Sequence, residues 1–101
     1  MESKYSVVES NGIVTITLQG KLDATNAPGL MEELKKFIGK EITELNFEAE
    51  QLEYIASAGL RTMIFAKQKI GENASISLIG AKQEVLDVVK MSGLDNFLTI
   101  K

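Results

Sequence analysis

A serine at the head of a helix is a place where charge can be added. Ser57 stands in Leu52-Glu53-Tyr54-Ile55-Ala56-Ser57-Ala58-Gly59-Leu60, directly before an apolar helical pattern. As a nucleophile it would need a neighbouring base to take its proton. The chain has no histidine and no cysteine. The commonest base near neutral pH, the commonest metal ligand and every thiolate are therefore missing. Ile55-Ala56-Ser57-Ala58-Gly59 also lacks the first glycine of a nucleophile elbow. A lysine base remains only on paper, so serine catalysis is not expected. Two uses of Ser57 are left, and they are compatible. One is an N-cap, whose hydroxyl accepts a first-turn N–H and contributes about 1 kcal/mol. The other is a phosphoacceptor, where a phosphate would add about −1.5 to −2 charge beside free N–H groups.

Other chemistry is sparse. Glu48, Glu50 and Glu53 are clustered, but glutamates in a loop are ordinarily just solvated. Gly20-Lys21 lacks the rest of a phosphate-binding loop, and no dinucleotide fingerprint is present. No cofactor is expected. Asp23 is either a turn residue bonding local N–H groups or a contact for a partner. Thr25 and Asn26 are expected to cap the first helix. Arg61, one turn after Ser57, could reach a phosphate or a partner's acid, or simply be solvated.

These residues must be placed by strands and helices. Tyr5 to Glu9 reads as a strand, and Ser10-Asn11-Gly12 as a tight turn. Val14, Ile16 and Leu18 then alternate with threonines, the pattern of a half-buried strand. Gly20 to Asn26 reads as a loop. Pro28 suits the first turn of a helix, in which Ala27, Leu30, Met31, Leu34, Phe37 and Ile38 recur at helical spacing. Glu32 and Lys36 are four apart on its polar side. A strand is expected over Ile42 to Phe47. Leu60, Met63, Ile64 and Ile70 predict a second helix ended by Gly71. Ser75 to Ile79 predicts another strand, Ala81 to Met91 a third helix, and Phe97 to Ile100 a short last strand. The order is β-β-α-β-α-β-α-β. It predicts an α/β fold with a mostly parallel sheet of about four or five strands, an N-terminal antiparallel hairpin and about three helices. The expected core includes Val14, Ile16, Leu34, Phe37, Leu45, Ile64, Leu78 and Val89. Functional loops are expected at the carboxyl ends of the parallel strands.

Composition sets the outer bounds. With 101 residues the chain suits one domain spanning 1–101. Its formal charge is −3 and no basic patch stands out, so no direct nucleic-acid contact is expected. No apolar run approaches the roughly 20 residues of a membrane helix, so no membrane insertion is expected. Met1-Glu2-Ser3-Lys4 leads into no apolar leader. A cytoplasmic protein is the simplest expectation.

The Leu52–Leu60 stretch resembles the phosphorylation-site motif of bacterial anti-sigma factor antagonists in the STAS family. There an apolar pair leads into a small or acidic residue, a phosphorylatable serine, a small residue, then Gly-Leu opening a helix. Tyr54 and Ile55, Ala56, Ser57, Ala58, and Gly59 with Leu60 fill those places. Gly20-Lys21-Leu22-Asp23 resembles the family's Gly-x-Leu-Asp loop, and Met91-Ser92-Gly93-Leu94 its helix-ending segment. The resemblance implies a STAS domain that is not an enzyme. It implies a partner that is an anti-sigma factor and often a serine kinase, a serine phosphatase that resets the switch, and a sigma factor set free. It marks Ser57 as phosphorylated, with Asp23, Thr25, Asn26, Ala56, Ala58, Gly59, Leu60 and Arg61 as the partner-binding surface. STAS domains also serve as scaffolds or accessory subunits of stress-signalling or transport complexes, which is the alternative reading. Ala56 departs from the Asp or Ser of many members, and Ala58 from their second hydroxyl.

Overall fold

A computed structural model describes residues 4–101. The elements are β1 (Lys4–Ser10), β2 (Ile13–Leu22), α1 (Ala27–Lys35), β3 (Glu44–Ile55), α2 (Ser57–Lys69), β4 (Ser75–Ile79), α3 (Gln83–Met91) and β5 (Thr99–Ile100). A single 3-10 turn, Leu94–Asn96, precedes β5. The expected element order and fold class are borne out.

β1 and β2 form an antiparallel hairpin with Ser10 opposite Ile13. Asn11 at φ 52° and Gly12 at φ 85° occupy the two turn positions. Both are left-handed, as a two-residue turn of this hand requires, and Asn-Gly is the pair that adopts it at least cost. From β2 onward the pairing is parallel, in the sheet order β1-β2-β3-β4-β5.

The buried face of the sheet carries Val14, Ile16, Leu18, Leu45, Phe47, Ala49, Ile76 and Leu78. Leu30 and Leu34 of α1, Met63 and Ala66 of α2, and Val85 and Val89 of α3 complete one core. Neighbouring strand positions on the other face, such as Thr15, Thr17, Asn46 and Glu48, are polar and half-buried. Gly71 lets the chain leave α2 close to the sheet. A Cβ there would come within 2.7 Å of Leu45 and 2.9 Å of Ile76.

Several boundaries differ from the sequence reading. Gly20–Leu22 belongs to β2, not to a loop. Gly20, at φ 67°, accommodates a register shift, after which Leu22 is buried. β3 runs on through Glu48, Glu50 and Glu53 to Ile55, because Ala49, Leu52 and Ile55 keep the buried face supplied. α1 stops at Lys35 and turns out through Gly39 at φ 88°. Phe37 therefore lies past the helix and is only partly buried, its ring 5.6 Å from the Lys40 ammonium. Ile64 is 38% exposed, because Met63 takes the inward position on α2. The expected Glu32–Lys36 pair gives way to Glu32–Lys35 at 2.7 Å and Glu33–Lys36 at 3.1 Å.

Candidate functional site

Two strand ends lie side by side. In the parallel β2–β3 pair, Leu22 is opposite Ile55. Asp23 follows the first strand and Ala56 the second, so both connections leave the same edge. The Ala56 N–H donates to the Leu22 carbonyl at 2.9 Å and ties them together. Gly59 brings them closer still. A Cβ on it would lie 2.7 Å from Ile55 Cγ1 and 2.9 Å from both Leu22 Cγ and Leu22 O. Only glycine lets the first turn of α2 seat on the Leu22 backbone.

Ala56, at φ −97° and ψ 176°, is the extended residue before α2, and Ser57 is the first helical residue. The expected N-cap by Ser57 is thereby corrected. A cap needs extended backbone so that its side chain can turn back onto the helix, and Ser57 is already inside. No side-chain cap bonds the first-turn N–H groups. The Ser57 hydroxyl is exposed.

The Asp23 loop is built differently. Thr25 donates to Asp23 Oδ1 twice, from its N–H at 3.0 Å and from its hydroxyl at 2.5 Å. Asn26 accepts the Asp23 N–H at 2.9 Å and donates its amide to the Lys21 carbonyl at 2.6 Å. The Asp23 carbonyl accepts from the Ala27 N–H at 2.8 Å. Asn26 does occupy the cap position of α1, but its side chain turns back into the loop, and Thr25 serves Asp23. Neither caps the helix. The Thr25 hydroxyl, then the Thr25 N–H, hold the Asp23 carboxyl below the ordinary aspartate value, and the Lys21 charge adds to them. Asp23 is a fixed negative charge.

The structure thus brings Asp23, Thr25, Asn26, Ala56, Ser57, Ala58 and Gly59 to one end of the sheet. Leu60 is half-buried behind them and Arg61 is exposed one turn along α2. Thr62 is fully buried, and its hydroxyl donates to the Ala58 carbonyl at 3.0 Å. Glu48 accepts from the Thr17 hydroxyl at 3.4 Å on the polar face of the sheet, and Glu50 lies against Gly80. Sequence reasoning named Leu22 only within its motif and gave it no role, yet its carbonyl ties the two loops together. The signal was its place just before Asp23 in an apolar position. Tyr54, opposite Lys21 and half exposed, was read only as part of an apolar pair.

The STAS domain profile matches residues 4–101. The chain belongs to the STAS domain family. It is 32% identical to BtrV of Bordetella bronchiseptica over 96% of this chain and 82% of that one. BtrV is named as a candidate anti-sigma factor antagonist. It is 22% identical to the anti-sigma-F factor antagonist RsfB of Mycobacterium tuberculosis, over 89% of this chain and 74% of the relative. The fold is similar to that of the anti-sigma factor antagonist SpoIIAA in its unphosphorylated form, with a TM-score of 0.85, 18% identity and coverage of 97% and 88% of the two chains. The phosphorylated form of Bacillus SpoIIAA gives a TM-score of 0.77 at 17% identity, covering 97% and 91%. In this STAS chain the Gly20–Asp23 and Leu52–Leu60 motifs meet at the paired strand ends. Met91–Leu94 lies elsewhere, at the end of α3, where Gly93 at φ 82° turns the chain. Among the described residues no helix is long and apolar enough to cross a membrane.

Proposed function

We propose that this STAS chain, as one domain, is a cytoplasmic anti-sigma factor antagonist switched by phosphorylation of Ser57. Unphosphorylated, it binds an anti-sigma factor that is also a serine kinase, and sigma-factor-dependent transcription follows. Phosphorylation breaks the complex and a serine phosphatase restores it. The chain is a binding switch and not an enzyme, and ATP belongs to the kinase. The names of RsfB and BtrV support the antagonist reading.

One observation carries the choice of residue. Ser57 is an exposed hydroxyl on a first turn that no side chain caps. A phosphate there meets free N–H groups and the positive end of the helix dipole, so the fold tolerates it. The cost falls on the partner surface, through repulsion and desolvation. Asp23 supplies a constant charge beside the variable one. Ala56, Ala58, Gly59, Leu60, Arg61, Thr25 and Asn26 form the surrounding contact surface.

Phosphopeptide mapping after incubation with the cognate kinase tests this. Ser57 is the expected site. Thr62 is buried, and the Ser92 hydroxyl already donates to the Val89 carbonyl at 2.7 Å. Modification only at one of those would overturn the assignment. Ser57→Asp is expected to abolish partner binding while stability changes by less than about 1 kcal/mol, since a carboxylate suits a helix N-terminus.

A further inference from the structure

α2 presents one exposed stripe. Ser57, Arg61, Ile64 and Gln68 are spaced by four, three and four residues, and all are exposed. The stripe runs from the Ser57 end into a groove of about 480 Å³. Ile64, Leu94 and Phe97 give this groove its apolar surface, with Lys67, Gln68 and Glu72 among its polar rim. Phe97 is 61% exposed, a large aromatic left in water.

Charge marks the same helix. The whole chain has a net charge of −3, yet α2 carries Arg61, Lys67 and Lys69 and no acidic residue. Among the described residues the ion pairs are those on α1, so none of these cations is paired. Lys67 reaches only the Gly71 carbonyl, at 3.5 Å. Glu72 lies beyond the far end of the helix from Arg61. An occupant suited to both features has an apolar anchor flanked by acidic residues.

We propose that the groove receives an acidic, amphipathic segment of the same anti-sigma factor that the Ser57 face binds. The inference rests on that reading and extends the contact from the strand ends along the length of α2. It also gives the phosphate a second action. Phosphoserine at 57 and Arg61 stand four apart on the helix, so the phosphate can draw the guanidinium onto itself. Arg61 is then withdrawn from the partner's acid.

The test is calorimetric and kinetic binding to each anti-sigma factor kinase encoded by the host genome, purified without ATP. Ile64→Ala and Phe97→Ala are each expected to weaken binding by about tenfold or more, as truncated anchors do. Lys67→Glu is expected to slow association and flatten its salt dependence. Thermal midpoints and the oligomeric state are measured on the same preparations. Should Phe97→Ala not fold, Ile64→Ala and Lys67→Glu, on the outer side of the helix, decide the matter. If both bind within about twofold of wild type while Ser57→Asp abolishes binding, the groove proposal fails and the Ser57 reading stands. If wild type binds no anti-sigma factor, both fail. If wild type self-associates and Ile64→Ala prevents only that, the groove holds a second copy and the proposal is overturned.

Discussion

The two connections at the carboxyl ends of β2 and β3 touch, yet they are finished in opposite ways. The Asp23 loop binds itself. Thr25 serves the carboxylate, and Asn26 joins Asp23 to Lys21. The Ser57 turn leaves its helix end without a side-chain cap. The first arrangement fixes a charge in place. The second leaves the first-turn donors without a side-chain acceptor, as the proposed phosphate would require. A switch of the proposed kind needs one constant reference and one variable element, and the adjacent loops would supply those two.

Their contact is the most vulnerable point. Gly59→Val would push a branched side chain into Leu22 and Ile55, where even a Cβ finds 2.7 Å. Part of the obstruction is the Leu22 carbonyl, which a rotamer change cannot relieve. Overpacking of this kind costs about 1–3 kcal/mol. For a domain near 100 residues, each kcal/mol lowers Tm by about 4–8 °C. Calorimetry measures the fall. A variant melting like wild type would show that the two loops can separate freely.

Within the Asp23 loop, charge and scaffold can be dissected. Asp23→Ala is expected to weaken partner binding by about tenfold or more, in the range seen for interface charges, with a smaller effect on folding. Asn26→Ala removes the two bonds that bridge the loop and is expected to cost about 1–2 kcal/mol of stability. Denaturant melts and titrations of both variants separate the roles. Several kcal/mol lost in Asp23→Ala, with normal binding by the folded fraction, would make Asp23 the scaffold instead.

The fold was legible where side-chain periodicity and turn chemistry agreed. Asn11-Gly12 announced the hairpin, and the alternation of Val14, Ile16 and Leu18 announced the strand it feeds. It was least legible where composition misled. Glu48, Glu50 and Glu53 look like loop residues, yet Ala49, Leu52 and Ile55 carry β3 beneath them through register shifts that break simple alternation. The site was legible as a set of motifs, and adjacent strand ends explain why two of the three meet. Its hydrogen bonding was not. Whether a serine is the residue before a helix or its first residue depends on where the backbone passes from extended to helical, and here Ala56 is the last extended residue. The outward turn of Ile64 was hidden because Met63 is equally apolar, and only packing decides which of the two faces the sheet.

The constancy of Asp23 can be tested by titration. Its folded carboxyl is depressed, so the stabilisation is present above the ordinary aspartate value. It is lost as pH falls through the lower folded value. NMR titration of the Asp23 carboxyl should give a midpoint below the ordinary value. Thr25→Ala, which removes the hydroxyl bond at 2.5 Å, should move it upward. An unmoved midpoint would show that the Thr25 N–H and the Lys21 charge suffice without the hydroxyl.

The smallest effect concerns Ala56, the residue before the variable element. Ala56 is extended and half-buried, and its N–H is committed to Leu22. Replacing its methyl group leaves that backbone bond intact. Ala56→Asp would place a carboxylate at the residue where N-cap side chains satisfy first-turn N–H groups. It would also stand beside Ser57, the proposed phosphoacceptor, available to a basic group on the proposed kinase. Two effects oppose each other there. Repulsion between the carboxylate and the incoming phosphate slows transfer, and a capping carboxylate competes for the same N–H groups. A charge-assisted hydrogen bond to the kinase, about 1.5–3 kcal/mol, works the other way. The repulsion acts near an exposed helix end, where water screens it, so the kinase contact is expected to win and single-turnover phosphorylation to speed up. An equal or slower rate in Ala56→Asp would mean that the kinase makes no use of an acid at that position, and that the alanine costs this chain nothing as a substrate.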